Sequence, residues 1–354
     1  MSETTLAYLA EKTASGNDLD ESEVRVAANQ LTAADASVED KESFLVSFAD
    51  KGESAQEIAA FASCFREFAI DPMVDDLAHS AIDVCGTGGD KSGSFNVSTT
   101  VAFILAAAGV TVFKHGNRSI TSKCGSADLL EAVGIPLEAK PALIRSSLEE
   151  LHFAFFFAPV YHPAFKEIVP VRKSLAEKGH RTVFNILGPL INPGRPAYQL
   201  LGVFSPDFVS RLASCLEALD LRRALVAHCS LSGAGGLDEL SCCGKNLVSG
   251  VGGLSETKGD WTPEDFGLPC HPYTDIAGGN VQENLRLLDT LFSGEAPSGL
   301  MDTVCLNAGT ALWIAERTTE VKQGVAMAKD LLLGGQVKSW LERAKAFYAD
   351  ASET

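Results

Sequence analysis

The sequence predicts an α/β protein of two lobes: a small all-helical domain, then a larger α/β domain with a mainly parallel central sheet. Three observations carry this. The first seventy-odd residues show helical periodicity only. From Ala81 onward, short apolar runs alternate with amphipathic stretches, the pattern of strands joined by crossover helices. A chain of 354 residues also exceeds what one hydrophobic core usually spans.

The helical part comes first. Val24, Ala27, Ala28 and Leu31 mark one face of a helix, and Ser54 with Glu57 has the spacing of a capping box. The box precedes Ile58, Phe61, Ala62, Phe65 and Phe68, an aromatic stripe that suits either core or a subunit interface. Strands are expected at 81–85, 110–114, 153–157, 198–203 and 223–228. Helices between them are expected at 99–108, 127–133, 141–151 and 207–219, and three more at 281–292, 302–316 and 337–348. The stretch 249–260, SGVGGLSETKGD, reads as an exposed loop.

A formal charge of −17 argues against broad affinity for nucleic acid or anionic membrane, which needs basic surface. The N-terminus lacks the basic and apolar regions of a signal peptide, and no apolar run approaches membrane-span length. The nine cysteines include no CxxC pair and read as reduced, packed thiols. Together these lead to the expectation of a cytoplasmic protein.

Three stretches carry chemistry. The first, DVCGTGGDKSGSFNVSTT (83–100), joins a strand to a helix. It is neither a Rossmann nor a Walker loop, because Lys91 stands where the former needs glycine and no Gly-Lys-Ser/Thr closes it. Its glycines still allow backbone amides to converge on an anion, and Ser98, Thr99 and Thr100 open a helix whose N-terminus favours negative charge. The same residues also suit a tight βα turn capped by serine. The second stretch runs from Lys114 to Gly134. It gathers Lys114, His115, Arg118 and Lys123 at a strand exit in an otherwise acidic chain, which suits phosphate or carboxylate. The third, GGLDELS (235–241), offers adjacent Asp238 and Glu239, hard oxygen ligands that suit magnesium. Alone, such a pair is usually a solvated helix start.

GTGGD (86–90), NVSTT (96–100), KHGNR (114–118), SADLLEA (126–132), HPA (162–164), RTVFNILGPLINP (181–193), GLDELS (236–241), PEDFGL (263–268) and NAGTAL (307–312) occur in this order. Together they resemble the anthranilate phosphoribosyltransferase family. The resemblance implies a homodimer formed through a helical domain, 1–77 completed by roughly 165–190, with an α/β domain over 78–354. It implies that anthranilate attacks phosphoribosyl pyrophosphate (PRPP), with two magnesium ions and no protein nucleophile.

Carried over, Gly86, Gly89, Asp90, Ser94, Asn96, Val97, Ser98 and Thr99 would hold PRPP. Lys114, His115, Gly116, Asn117, Arg118, Ser119, Ile120, Thr121, Ser122 and Ser126 would complete that site. Ser98, Asp238 and Glu239 would hold magnesium. Gly86, Asn117 and Arg172 would face anthranilate, with His115 and His162 lining its channel as direct contacts or as packing residues.

Two stretches depart from the family pattern. RKSLAEKGHRT (172–182) carries three extra residues, which makes Arg181 the alternative anchor for the anthranilate carboxylate. HCSLSGAGGLDE (228–239) is about four residues longer than usual, so a longer loop is expected there. The rival readings are a pyrimidine nucleoside phosphorylase of the same fold and a non-catalytic relative that binds nucleic acid. KHGNR and RTVFNILGP oppose the first, and the net charge opposes the second.

Overall fold

The computed structural model describes residues 4–90, 92–118, 123–231 and 235–352. Four helices open the chain: α1 (Leu6–Ala14), α2 (Glu21–Thr32), α3 (Val38–Lys51) and α4 (Ala55–Glu67). Each starts at a residue whose side chain takes a first-turn amide: Thr5, Asp20, Ser37 and Ser54. The Ser54–Glu57 capping box forms as expected. Phe44, Phe48, Phe61 and Phe65 are fully buried between these helices, each contributing about 1.5–3 kcal/mol of burial.

The single turn α5 (Asp75–Ala78) leads into β1 (Ile82–Gly86), α6 (Val97–Ala107), β2 (Val112–Gly116), α7 (Ser126–Ala132), α8 (Pro141–Leu151) and β3 (Phe153–Phe157). Next come α9 (Ala158–Tyr161), α10 (Val169–Glu177), α11 (Phe184–Leu187), β4 (Tyr198–Gly202) and α12 (Asp207–Ala218). Strands β5 (Arg223–Leu231), β6 (Gly235–Leu237), β7 (Lys245–Gly252) and β8 (Lys258–Trp261) follow. Helices α13 (Val281–Ser293), α14 (Ser298–Ile314), α15 (Val321–Leu333) and α16 (Gln336–Ser352) end the described chain.

The sheet runs β3-β2-β1-β4-β5-β7-β8, with β6 paired to β5 off this path. The five strands from β3 to β5 are parallel, and β6, β7 and β8 are antiparallel additions. Alternate residues feed two cores. Leu200, Leu225 and Ala227 pack with α6 and the C-terminal helices. Leu201, Ala224 and Val226 join α12 and the N-terminal helices, and Ile168, Val171, Leu175 and Phe184 enter that same second core. Chain order reverses at β1, which lies between β2 and β4, and the crevice beyond the carboxyl ends of such strands is where α/β sheets bind ligands.

The structure corrects two expectations. Residues 249–260 are no exposed loop, because most of them belong to the β7–β8 hairpin. Their glycines hide the alternation that marks a strand, and those glycines are needed: a Cβ at Gly250 would strike the Leu254 backbone. Four helices, not three, end the chain. Val321, Val325, Ala328 and Leu332 line the buried face of α15, and Gly324 interrupts its signature. That glycine lets α15 meet Gly309 of α14 backbone to backbone, where a Cβ on either would collide.

Candidate active site

Three loops meet beyond the carboxyl ends of β1, β2 and β4. Gly86 ends β1 opposite Gly202 of β4, and a Cβ on either would fall onto Asp238. These two bare positions let the acidic turn after β6 lie directly over the sheet edge. There the Gly88 N–H donates to Asp238 Oδ2 at 2.6 Å, with Gly88 in the left-handed region at φ 69°. Asp90 contacts Asp238 carboxyl to carboxyl. It also receives the Ser92 N–H (3.1 Å) and the Ser92 hydroxyl (2.7 Å).

Glu239 extends the acidic group. One of its oxygens lies 3.5 Å from Ser94 Oγ, while Oε2 is shielded from solvent and has no partner among the described residues. A cavity of about 20 Å³ adjoins it, lined by Ser98, Asp238, Glu239 and Asn307 among others. That is room for one water or one ion. Burial, and then the neighbouring Asp90 charge, raises the Asp238 carboxyl to about 7. Burial together with both aspartates pushes Glu239 well above its ordinary range, against the pull of Lys114. A cation here would relieve all three carboxyls. Among the described residues, no three His, Cys, Asp or Glu side chains form a closed metal cage.

The facing wall is the start of α6. Asn96 caps it without a side-chain hydrogen bond, and the first-turn amides of Ser98 and Thr99 have no acceptor within the helix. The buried Thr99 hydroxyl is also without a partner among the described residues. Lys114, only 1% exposed, crosses beneath the loop and donates to the Val84 carbonyl (2.8 Å) and to Ser98 Oγ (3.4 Å). Burial lowers its pKa, while Asp83, Cys85 and Glu239 pull it back up. Asp83 is buried and raised to about 6 by that burial, and Asn192 Nδ2 donates to it at 2.9 Å. The sequence reading missed both Asp83 and Asn192. An acidic residue inside a buried strand was the available signal for the first.

The described part of the β2 loop leads from β2 to α7. Asn117 accepts the Arg118 N–H through its side chain (2.8 Å) and the Ser126 hydroxyl through its carbonyl (3.3 Å), and Gly116 leaves room for Ser126. Arg118, expected to meet phosphate, is paired with Asp128 (3.1 Å) and Glu131 (2.9 Å) on α7. Ser119, Ile120, Thr121 and Ser122 lie outside the described residues.

Near the end of β2 the ring of His115 stands 5.3 Å from that of His162, nearly edge to face. Both are buried, and both Nε2 atoms lack a partner among the described residues, while the Gly188 and Ile191 backbone lies beside the rings. Burial keeps the pair neutral, with His115 pushed down to about 3 and His162 to about 4.

Arg172, half-buried on α10, sits over the Phe184 ring and has no carboxylate partner among the described residues. Arg181 is exposed. It stacks on Phe204 at 4.1 Å and donates to the Gly89 carbonyl at 3.2 Å, so it braces the glycine loop. The extra residues between them form the end of α10 and a turn at Gly179. The insertion before Asp238 falls where β5 and β6 pair as a hairpin, with Ser230 opposite Gly236.

The helical bundle and the α/β domain, with its anion loop facing an acidic turn, both match a glycosyl transferase family. The glycosyl transferase family a/b domain model matches residues 78–338, and the helical bundle domain model of that family matches 8–69. Anthranilate phosphoribosyltransferase of Rubrobacter xylanophilus is 41% identical over 94% of both chains. The solved anthranilate phosphoribosyltransferase of Thermus thermophilus superposes with a TM-score of 0.87 at 42% identity, over 96% of this chain and 99% of that one. The Saccharomyces cerevisiae enzyme, solved in complex with PRPP and Mg, shares the fold at 24% identity, with a TM-score of 0.83 over 99% of each chain. The chain belongs to the anthranilate phosphoribosyltransferase family.

Proposed function

We propose that this chain transfers the 5-phosphoribosyl group of PRPP to the amine of anthranilate, releasing pyrophosphate. The product is phosphoribosyl-anthranilate, and the reaction is the second step of tryptophan synthesis from chorismate. The observation that carries the reading is the apposition of the partnerless Glu239 oxygen and Asp238 to the open N-terminus of α6.

In this reading the loop from Gly86 to Thr99 and the Lys114–Ser126 segment grip PRPP. The free amides of Ser98 and Thr99 take phosphate oxygens. Ser98, Asp238 and Glu239 hold magnesium. The partnerless oxygen, the one-ion cavity and the raised carboxyls fit a divalent cation, two ions in all being the proposed complement. Bound magnesium would neutralise charge on the departing pyrophosphate. The yeast complex with PRPP and Mg supports pairing this ester with this metal.

Arg172, a desolvated guanidinium with its charge uncommitted, takes the anthranilate carboxylate. Gly86 and Asn117 face the amine side. The neutral His115 and His162 present imidazole acceptors along the channel without repelling or protonating the amine. The C1–oxygen bond to pyrophosphate breaks as the amine nitrogen bonds to C1, through an oxocarbenium-like state, and the proton lost by the amine passes to the released pyrophosphate. Substrate supplies the nucleophile, so the protein contributes alignment and charge neutralisation.

Anthranilate fluorescence tests this directly. Its loss should require enzyme, PRPP and magnesium together. Phosphate-driven cleavage of a nucleoside, with anthranilate untouched, would favour the phosphorylase reading instead.

We further propose a homodimer through the helical domain. The exposed apolar side chains of Tyr8, Val38, Ile70, Met73 and Val169, all within the segments assigned to that domain, support this. Sedimentation as a monomer would contradict it. Nine free cysteines suit a reducing compartment, in keeping with a cytoplasmic enzyme. Among the described residues, no helix is long and apolar enough to cross a membrane.

A further inference from the structure

Among the described residues, the half of the glycine loop nearest α6 has no hydrogen bond to a neighbouring strand of its own sheet. A segment some 180 residues later holds it instead. The Tyr273 hydroxyl donates to the Ser92 carbonyl at 2.6 Å. Next, the Gly278 N–H donates to the Gly93 carbonyl and the Phe95 N–H donates to the Ile276 carbonyl, both at 2.9 Å. Ser94 and Ala277 face each other as an antiparallel bridge. The Asn96 N–H then donates to Asn284 Oδ1 at 3.0 Å. Asn284 is buried, and its own amide is fixed by donation to the Gly279 and Asn280 carbonyls.

The contact is close enough to exclude side chains. A Cβ on Gly278 would collide with the backbone of Ser94 and Phe95. It also connects to the acidic centre. Ser92, held by Tyr273 through its carbonyl, is bonded through its amide and hydroxyl to Asp90, which contacts Asp238.

We infer that Tyr273 and Asn284 are positioning residues for the phosphoribosyl donor, clamping Ser92–Asn96 in the form that receives the ester. The inference rests on the proposed function. Neither side chain touches the reacting atoms. Their effect passes through the loop backbone, so it falls on PRPP and not on anthranilate. Most of the clamp is backbone pairing, which other side chains would preserve. Tyr273 supplies the one bond that a single oxygen deletion removes.

The test is Tyr273→Phe in the full-length enzyme, with Tyr348→Phe as control. Tyr348 offers its hydroxyl to the buried Ser147, outside the loops of the candidate site. Calorimetric titration with PRPP and magnesium, steady-state kinetics and thermal melting are measured on both variants and on the parent. Loss of one hydrogen bond that orders the loop should raise the PRPP Kd and KM of Tyr273→Phe roughly tenfold. Anthranilate KM and melting temperature should stay near the parent values, and Tyr348→Phe should bind PRPP normally. If Tyr273→Phe binds PRPP like the parent, or if PRPP and anthranilate weaken together with the melting temperature, the clamp is wrong. A parent enzyme that binds no PRPP would instead overturn the functional reading beneath it.

Discussion

Replacing Glu239 by glutamine should make the metal-free protein more stable and the enzyme nearly inactive. Two atoms set the magnitude. Among the described residues, Glu239 Oε2 is shielded without a partner, and the other oxygen has one contact, Ser94 Oγ at 3.5 Å. Leaving a buried acceptor unsatisfied costs about 1–3 kcal/mol, and more when it is charged. Glutamine keeps the shape and removes the charge, so a gain of about 1–2 kcal/mol at pH 7 is expected, a few degrees in melting temperature. Lys114 keeps Asp83 as a neighbouring charge, so the substitution does not strand it.

The pH dependence has a definite sign. The folded-state pKa of Glu239 is raised above 4.5, so ionisation costs folding as pH climbs through that range. The advantage of the glutamine variant should grow as pH rises from 4.5 and vanish well below 4.5, where the parent carboxyl is protonated both folded and unfolded. Differential scanning fluorimetry in chelator across this range, then with added magnesium, reads both effects. Magnesium should raise the parent melting temperature and leave the variant unmoved. A variant less stable than the parent at pH 7, or one that keeps magnesium-dependent turnover, would refute the reasoning.

Two further outcomes follow from the same geometry. Arg172→Ala should raise anthranilate KM at least tenfold with PRPP KM little changed, since that guanidinium lacks a carboxylate partner; Arg181→Ala, which frees the Gly89 carbonyl, should act on PRPP. The reverse pattern in steady-state kinetics would exchange their roles. His115 and His162 are pushed down to about 3 and 4, so their contribution to stability is full above pH 6.5 and falls as pH drops toward those values. Each ring gives a slope of about 1.4 kcal/mol per pH unit, which urea midpoints between pH 7 and 5 should show flattened in a His115→Asn/His162→Asn variant. Equal slopes in parent and variant would mean the rings are not held neutral.

Much of this architecture is legible in the sequence, because strand, loop and helix follow one another locally. The five parallel strands lie within a few residues of their expected places, and the glycine loop and acidic pair meet although 150 residues separate Gly88 from Asp238. What escaped depends on partners distant in the chain. Gly324 reads as a helix breaker until Gly309 is seen against it. Gly250 and Gly252 conceal a strand whose partner is β5. Arg118 reads as a phosphate donor, and its pairing with Asp128 and Glu131, one helical turn apart, is not visible in the sequence. Nothing near Tyr273 in sequence reveals that its hydroxyl ends on Ser92.

The most direct measurement is a crystal structure of the enzyme with PRPP and magnesium. The ester's phosphates should lie on the amides of Ser98 and Thr99, with metal density against Asp238 and Glu239. Ester bound away from β1 and β2, with no metal at the acidic turn, would contradict it.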